Sequence, residues 1–317
     1  MLKTVILDRR TLGGDLDVTI DFDTSVTAYP ITQPHEAAQR IADADVVFVN
    51  KVRLDEENLK NAKNLKLICE AATGYDNIDT DYCRKAGIAV CNVPGYSSHS
   101  VSQVTVGAVL YLANRLKQYT DFTASGEYSK SGTANCLTPV FHELYGKTWG
   151  IAGVGGIGSE VAKAAEALGC KVIAFKRTPS DKFDCVDIDT LVEKSDIISV
   201  HLPLCDETRD IINAERIAKM KKDVIFANTA RGAVADEAAL CRALKEGRIG
   251  GLAADVYSSE PFLKDSPYYE IKNHPNVCLT PHMAWGAAEA RRRCFDEMVK
   301  NMKAYFAGEI RNRVEVL

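Results

Sequence analysis

Short β-branched runs alternate with helix-like stretches from one end of the chain to the other. The runs Val5–Leu7, Val46–Val49, Leu67–Glu70 and Ile88–Cys91 are apolar at nearly every position, as strands covered on both faces are. Between them His35–Ala42, Asp55–Ala62 and Asp79–Ala86 carry helical patterns, and Gly87 follows the last where a left-handed cap is wanted. A second series begins at Thr148–Ala152 and continues through Val172–Phe175, Ile197–Val200, Val224–Ala227, Leu252–Asp255 and Val277–Thr280. This alternation predicts an α/β fold with two doubly wound parallel sheets.

Two longer helical patterns set the expected boundaries. Ser100–Leu116 places Val101, Val104, Ala108, Tyr111 and Leu112 at helical spacing and is long enough to tie one sheet to the other. Ala287–Phe306, with Ala290, Cys294, Met298 and Tyr305 roughly in register, predicts a return to the first domain. The expected division is therefore residues 1–99 with 286–317 as one split domain, and residues 100–285 as a Rossmann domain inserted into it. Arg291-Arg292-Arg293 on the returning helix reads as a solvated face.

Composition narrows the partners. The 317 residues, 46% apolar and 26% charged, suffice for about two domains with large cores. A net charge of -4 supplies no basic stripe for a phosphate backbone, which argues against nucleic acid. No apolar run approaches the ~18 residues of a membrane span, and Met1–Asp8 reads as a strand with no signal-peptide pattern, so a cytoplasmic protein is expected. The ten cysteines contain no Cys-x-x-Cys pair and mostly sit in apolar segments, as small buried hydrophobes do in a reducing compartment; no metal site is expected.

Gly153-Val154-Gly155-Gly156-Ile157-Gly158 is a Gly-x-Gly-x-x-Gly run, and its context gives it meaning. A predicted strand precedes it, and a helix pattern over Ser159–Leu168, closed by Gly169, follows. Bare glycines there let backbone approach a dinucleotide pyrophosphate, whose charge sits at the positive end of the helix. The next strand ends in Lys176-Arg177-Thr178, without the carboxylate that would accept the ribose hydroxyls of NAD. Lys176 and Arg177 can pair with a 2'-phosphate and Thr178 can donate to it, so NADP(H) is preferred, with NAD(H) possible.

Hydride transfer to a carbonyl also needs a proton donor and a cation for the substrate. Of the six histidines, His35, His99, His142 and His274 fall in apparent loops or helix starts, and His201 ends a strand before Leu202-Pro203, where cofactor contact suits it better than proton transfer. His282 follows Leu279-Thr280-Pro281 at the carboxyl end of a strand, where open α/β sheets bind ligands. Arg231, in Asn228-Thr229-Ala230-Arg231-Gly232, lies at the same edge with a guanidinium suited to a bidentate grip on a 2-oxo acid. Glu260, just past the strand ending at Asp255, adds a carboxylate on that side.

These residues carry a resemblance to the D-isomer-specific 2-hydroxyacid dehydrogenases over nearly the whole chain. It rests on Ala72–Asp79, the glycine fingerprint, Asn228–Gly232, Asp255–Pro261 and Thr280–Trp285. The resemblance implies a flavodoxin-like split substrate domain around the Rossmann domain. It implies that Arg231 holds the carboxylate and carbonyl, that His282 is the acid/base, and that Glu260 orients His282 and favours its charged form. Lys51, Gly74, Tyr75 and Trp285, with Arg231 and His282, would contact the substrate. Cofactor contacts would come from Thr105, Gly153, Gly155, Gly156, Ile157, Gly158, Pro203, Thr208, Thr229, Ala230, Arg231, Asp255 and His282, besides Lys176–Thr178. Gly156 stands where many relatives carry a larger polar residue, and Lys176 replaces the usual aspartate.

Asn50-Lys51-Val52, Pro94-Gly95-Tyr96-Ser97 and His282-Met283-Ala284-Trp285 most resemble the glycerate dehydrogenase, or hydroxypyruvate reductase, subgroup. That resemblance implies reduction of hydroxypyruvate or glyoxylate, for which the Lys176–Thr178 reading makes NADPH the expected donor. Lys117–Lys147 matches the family arm that crosses to a partner, implying a homodimer. Alternatives are a D-lactate or branched-chain 2-oxo acid reductase on the same scaffold, and a dinucleotide-sensing binding protein.

Overall fold

The computed structural model describes residues 1–178 and 181–316, so Leu317, the last residue of the expected split domain, lies outside the described residues. The chain forms two compact units, Met1–Ser97 with Gly286–Leu317, and Ser98–Trp285. The first crossing thus falls two residues before the boundary expected at 99/100.

The first unit holds five parallel strands, β1 (Leu2–Ile6), β2 (Thr24–Ala28), β3 (Val46–Val49), β4 (Leu67–Glu70) and β5 (Ala89–Cys91), in the order β2-β1-β3-β4-β5. β3, β4 and β5 are buried at every position, and their sequences are apolar throughout except for Glu70 at the end of β4. β2 was not expected. It pairs with β1 from Leu2↔Thr24 to Ile6↔Ala28 at the sheet edge, and its Thr-Ser-Val-Thr-Ala sequence is largely exposed. An edge strand has little to bury, so no apolar run marks it.

Gly87 caps the helix Thr80–Ala86 in the left-handed region at φ 74°. The helix Ala288–Phe306 packs on β4: the Cys69 thiol lies 3.7 Å from the Met298 carbonyl, and Phe295 meets Phe48 edge-on at 5.8 Å. Buried Asn301 donates to the Asn92 carbonyl at 2.9 Å. Arg291 on this helix corrects the expectation of a solvated face. Its guanidinium grips Asp15 at 2.6 and 2.9 Å and donates to the Leu12 and Gly286 carbonyls. That hydrogen-bonded cation holds the Asp15 carboxyl down at about 2.

The second unit holds six parallel strands, β6 (Thr148–Ala152), β7 (Lys171–Phe175), β8 (Ile197–Val200), β9 (Ile225–Asn228), β10 (Gly251–Ala254) and β11 (Val277–Leu279), in the order β11-β10-β9-β8-β6-β7. The order reverses at β6, so the crevice outside the carboxyl ends of β6 and β8 is where such a sheet takes a ligand. Trp149 is fully buried in its core, with the indole N–H donating to Ser199 Oγ at 3.0 Å. The linking helix runs Ser98–Ala113 and the fingerprint helix Gly156–Ala167. All ten cysteines are free; Cys69, Cys83, Cys91, Cys170, Cys241 and Cys294 are buried, whereas Cys205 is exposed.

Candidate active site

Gly153 and Gly158 of the fingerprint answer two different steric demands. Gly153 has φ 100°, and a Cβ there would lie 2.9 Å from the His201 carbonyl carbon and oxygen. At Gly158 a Cβ would stand 2.0 Å from the Gly153 carbonyl oxygen, so helix and turn could not close. Gly155 caps the helix without a side-chain hydrogen bond and faces open space. The helix begins at Gly156, three residues before the expected Ser159, so Gly156, Ile157 and Gly158 form its first turn. Their amide groups and the helix dipole fit a pyrophosphate at this end. Lys176, Arg177 and Thr178 lie exposed just past β7, the next strand along the edge.

Three neighbouring strands bring the catalytic candidates to the same edge. Arg231 follows β9, Glu260 follows β10 and His282 follows β11. His282 Nδ1 lies 2.6 Å from Glu260 Oε2, with side chains 22% and 32% exposed. The other Glu260 oxygen accepts from the Tyr257 amide at 3.0 Å, which fixes the carboxylate plane. A ring nitrogen facing a carboxylate carries the proton, so Nδ1–H is turned to Glu260 and Nε2 is left for a substrate.

His282 has the left-handed φ of 53°, a conformation that needs support outside glycine. Asp255 supplies it. Its two oxygens accept from the Thr280 hydroxyl at 2.6 Å and from the Met283 and Ala284 amides at 2.8 and 2.9 Å, bracketing His282 on both sides. Burial raises the Asp255 carboxyl above its ordinary value, opposed by these three donors. Tyr257 adds a hydroxyl donated to the Thr280 carbonyl at 2.8 Å.

The Arg231 loop is stitched to the Glu260 loop. Asn228 donates to the Arg231 carbonyl at 2.9 Å and accepts from the Ala230 amide at 3.0 Å. A Cβ on Gly232 would fall 2.1 Å from the Tyr257 carbonyl carbon, so only glycine allows these loops to touch. Glu237 clasps the Ser258 amide at 2.7 Å. Asn228, Gly232, Glu237 and the bracing by Asp255 were not legible as a site framework. The one available signal was an Asn directly after a strand, facing its own turn.

The remaining cofactor candidates divide by depth. Thr208 donates to the Pro203 carbonyl at 2.6 Å, closing the loop after β8 and leaving Pro203 exposed. Thr229 and Ala230 are half-buried beside Arg231. Thr105 is fully buried, its hydroxyl bonded to the Val101 carbonyl at 2.8 Å and to Thr229 at 2.9 Å, so it stands behind Thr229. Trp285, half-buried, ends the second unit.

In the first unit Lys51 follows β3, beside the strand-order reversal at β1. Asp8 accepts from the Asn50, Lys51 and Val52 amides at 2.5–3.3 Å, and burial raises its carboxyl. Gly74 and Tyr75 lie in the loop after β4, which Asn77 ties to Glu70 at 3.0 Å and to the Val52 carbonyl at 3.2 Å. Burial drives the Glu70 carboxyl well above its usual range.

Residues 106–284 match the NAD binding domain of the D-isomer specific 2-hydroxyacid dehydrogenases. Over 314 residues the chain is 38% identical to a glycerate dehydrogenase of Methylorubrum extorquens, covering 99% of both. It is 34% identical to a hydroxypyruvate reductase of Blautia hydrogenotrophica, covering 97% of this chain and 98% of that one. Among solved structures, D-lactate dehydrogenase from Aquifex aeolicus, complexed with NAD and lactic acid, superposes with a TM-score of 0.84 at 32% identity, covering 97% and 96% of the two chains.

Proposed function

The chain belongs to the D-isomer-specific 2-hydroxyacid dehydrogenases and works with a nicotinamide cofactor, and from that premise we propose that it reduces hydroxypyruvate or glyoxylate, with NADPH preferred. The reading rests on one observation above all: the Glu260–His282 pair at 2.6 Å, one strand end from Arg231. Arg231 grips the carboxylate and carbonyl oxygen of the 2-oxo acid through a planar guanidinium. His282 gives the proton from Nε2 to that oxygen as C2 is reduced, and Glu260 stabilises the imidazolium that must be present beforehand. The bound dihydronicotinamide supplies the hydride. Asp255 keeps His282 in place through Thr280, Met283 and Ala284, while Lys51, Gly74, Tyr75 and Trp285 are proposed substrate contacts.

The similarity to a glycerate dehydrogenase and a hydroxypyruvate reductase supports small, polar substrates. Steady-state rates on a panel of 2-oxo acids with both reduced cofactors test this. Hydroxypyruvate is expected to exceed 2-oxoisocaproate in kcat/KM; the reverse order would favour the second reading, a D-lactate or branched-chain reductase, which the Aquifex neighbour supports.

The NADPH preference rests on Lys176, Arg177 and Thr178, all exposed at the end of β7 with no carboxylate among them. Lys176→Asp replaces attraction of a 2'-phosphate by repulsion and offers NAD a ribose acceptor. The ratio of kcat/KM for NADPH to that for NADH is expected to fall at least tenfold. An unchanged ratio would show that the loop does not read the phosphate.

We also propose a cytoplasmic homodimer. Among the described residues no helix is long and apolar enough to cross a membrane. Within residues 117–147, Leu137 and Tyr145 are 71% and 78% exposed, apolar surface that a second copy would cover. Light scattering at micromolar concentration is expected to give twice the chain mass; a monomer would refute the dimer.

A further inference from the structure

A chain of hydrogen bonds runs beneath the carboxyl edge of the second sheet, and the mechanism above does not use it. Trp149 Nε1 donates to Ser199 Oγ at 3.0 Å, and Ser199 Oγ meets His201 Nε2 at 3.1 Å. His201 Nδ1 meets Thr229 Oγ1 at 3.5 Å, the loosest link, and Thr229 Oγ1 meets Thr105 Oγ1 at 2.9 Å. Thr105 ends the chain on the Val101 carbonyl at 2.8 Å.

Counting hydrogens gives the chain one direction. A carbonyl only accepts, so the single Thr105 hydrogen goes to Val101. Thr105 must then accept from Thr229, which spends the Thr229 hydrogen. Thr229 in turn accepts from His201, so the imidazole carries its proton on Nδ1. At the far end His201 Nε2 is bare and accepts from Ser199, whose oxygen takes the Trp149 N–H. Burial alone pulls the His201 imidazole down to about 3, in keeping with a neutral ring among Ser199, Thr229 and the Gly153 turn.

We propose that His201 is a positioning residue: held as the neutral Nδ1–H tautomer, it donates to Thr229, whose own hydrogen is committed to Thr105, and so orients the Thr229 oxygen as an acceptor for a donor on the nicotinamide nucleoside of the cofactor. Thr229 is half-buried two residues before Arg231, and the His201 backbone abuts the first fingerprint glycine, so the chain joins the pyrophosphate turn to the reacting end. The inference rests on the cofactor reading given above. It predicts that this position discriminates by hydrogen-bond polarity, rejecting groups that present only an acceptor.

Two measurements test it. In protein labelled with ¹⁵N at histidine, long-range ¹H–¹⁵N correlations should show one imidazole, absent from His201→Asn, with Nδ1 protonated and Nε2 bare, unmoved between pH 8 and pH 5. An Nε2–H tautomer, or titration in that range, overturns the proposal. Equilibrium binding of NADPH and NADH is then compared with binding of ADP and 2',5'-ADP, which lack the nicotinamide nucleoside. His201→Leu should weaken the two dinucleotides about tenfold and leave the adenosine ligands unchanged, the loss expected for one hydrogen bond. His201→Asn, whose amide N–H falls near Nδ1, should recover most of that loss, and Thr229→Val should reproduce it where His201→Leu does not fold. Equal weakening of both ligand classes, or none, overturns the proposal. Failure of the unmodified protein to bind either dinucleotide overturns the cofactor reading instead, and the tautomer measurement is independent of that result.

Discussion

His282→Gln is expected to lower kcat by about 10³-fold in both reduction and oxidation, within the range general acid–base catalysis contributes. Both directions pass through the same transition state, so removing the proton carrier raises one barrier that both share. Cofactor affinity should change little, because the fingerprint lies on β6 and its helix, four places away from β11 in the sheet order. The loop should also keep its shape, since Asp255 grips Thr280, Met283 and Ala284 through groups other than the His282 side chain. Single-turnover rates with NADPH and hydroxypyruvate, alongside fluorescence titration of the cofactor, check both halves. A variant retaining more than a tenth of the rate would remove His282 from its proposed role.

Arg231→Lys is the second large effect, with kcat/KM for the 2-oxo acid expected to fall about 10²-fold. The charge remains, but an ammonium on a flexible stem cannot form the two parallel N–H···O bonds of a guanidinium. If Arg231 also polarises the carbonyl oxygen, kcat falls together with kcat/KM; if it only anchors the carboxylate, the loss falls on KM alone. Thermal unfolding should hardly move, because the loop is pinned by Asn228 and Gly232 through backbone atoms that the substitution keeps. An unchanged kcat/KM for Arg231→Lys would place carboxylate recognition elsewhere.

What the sequence made legible follows from what each feature needs. β3, β4, β6 and β8 could be read to the residue, because strands covered on both faces leave short runs that are mostly apolar, interrupted here only by Glu70, Thr148, Gly150 and Ser199. β2 could not, being an edge strand of threonine and serine whose order comes from pairing with β1. The fingerprint helix starts earlier than its apolar periodicity does, since Gly156 and Gly158 have no side chain to show a period. Glu260 and His282 stood out as polar residues at strand ends. The framework beneath them did not, because Asp255 reaches residues 25 to 29 positions away and no local pattern records such bonds. Arg291 misled for the same reason: its partner Asp15 lies 276 residues back along the chain.

The returning helix has a consequence for how the protein is made. The first unit is written in two pieces, and its sheet lacks the cover of Ala288–Phe306 and the bond that the Val90 amide donates to Glu315 until residues 288–315 are translated. The Ser98–Trp285 unit is complete before that segment leaves the ribosome. On an elongating chain the middle can therefore fold while the beginning waits, with the apolar face of β4 unprotected for the whole interval. At 5–20 residues per second, the roughly 200 residues between β5 and the end of the returning helix take on the order of 10 to 40 s to synthesise. For that time the nascent amino-terminal sheet is the part of the molecule with apolar surface still uncovered.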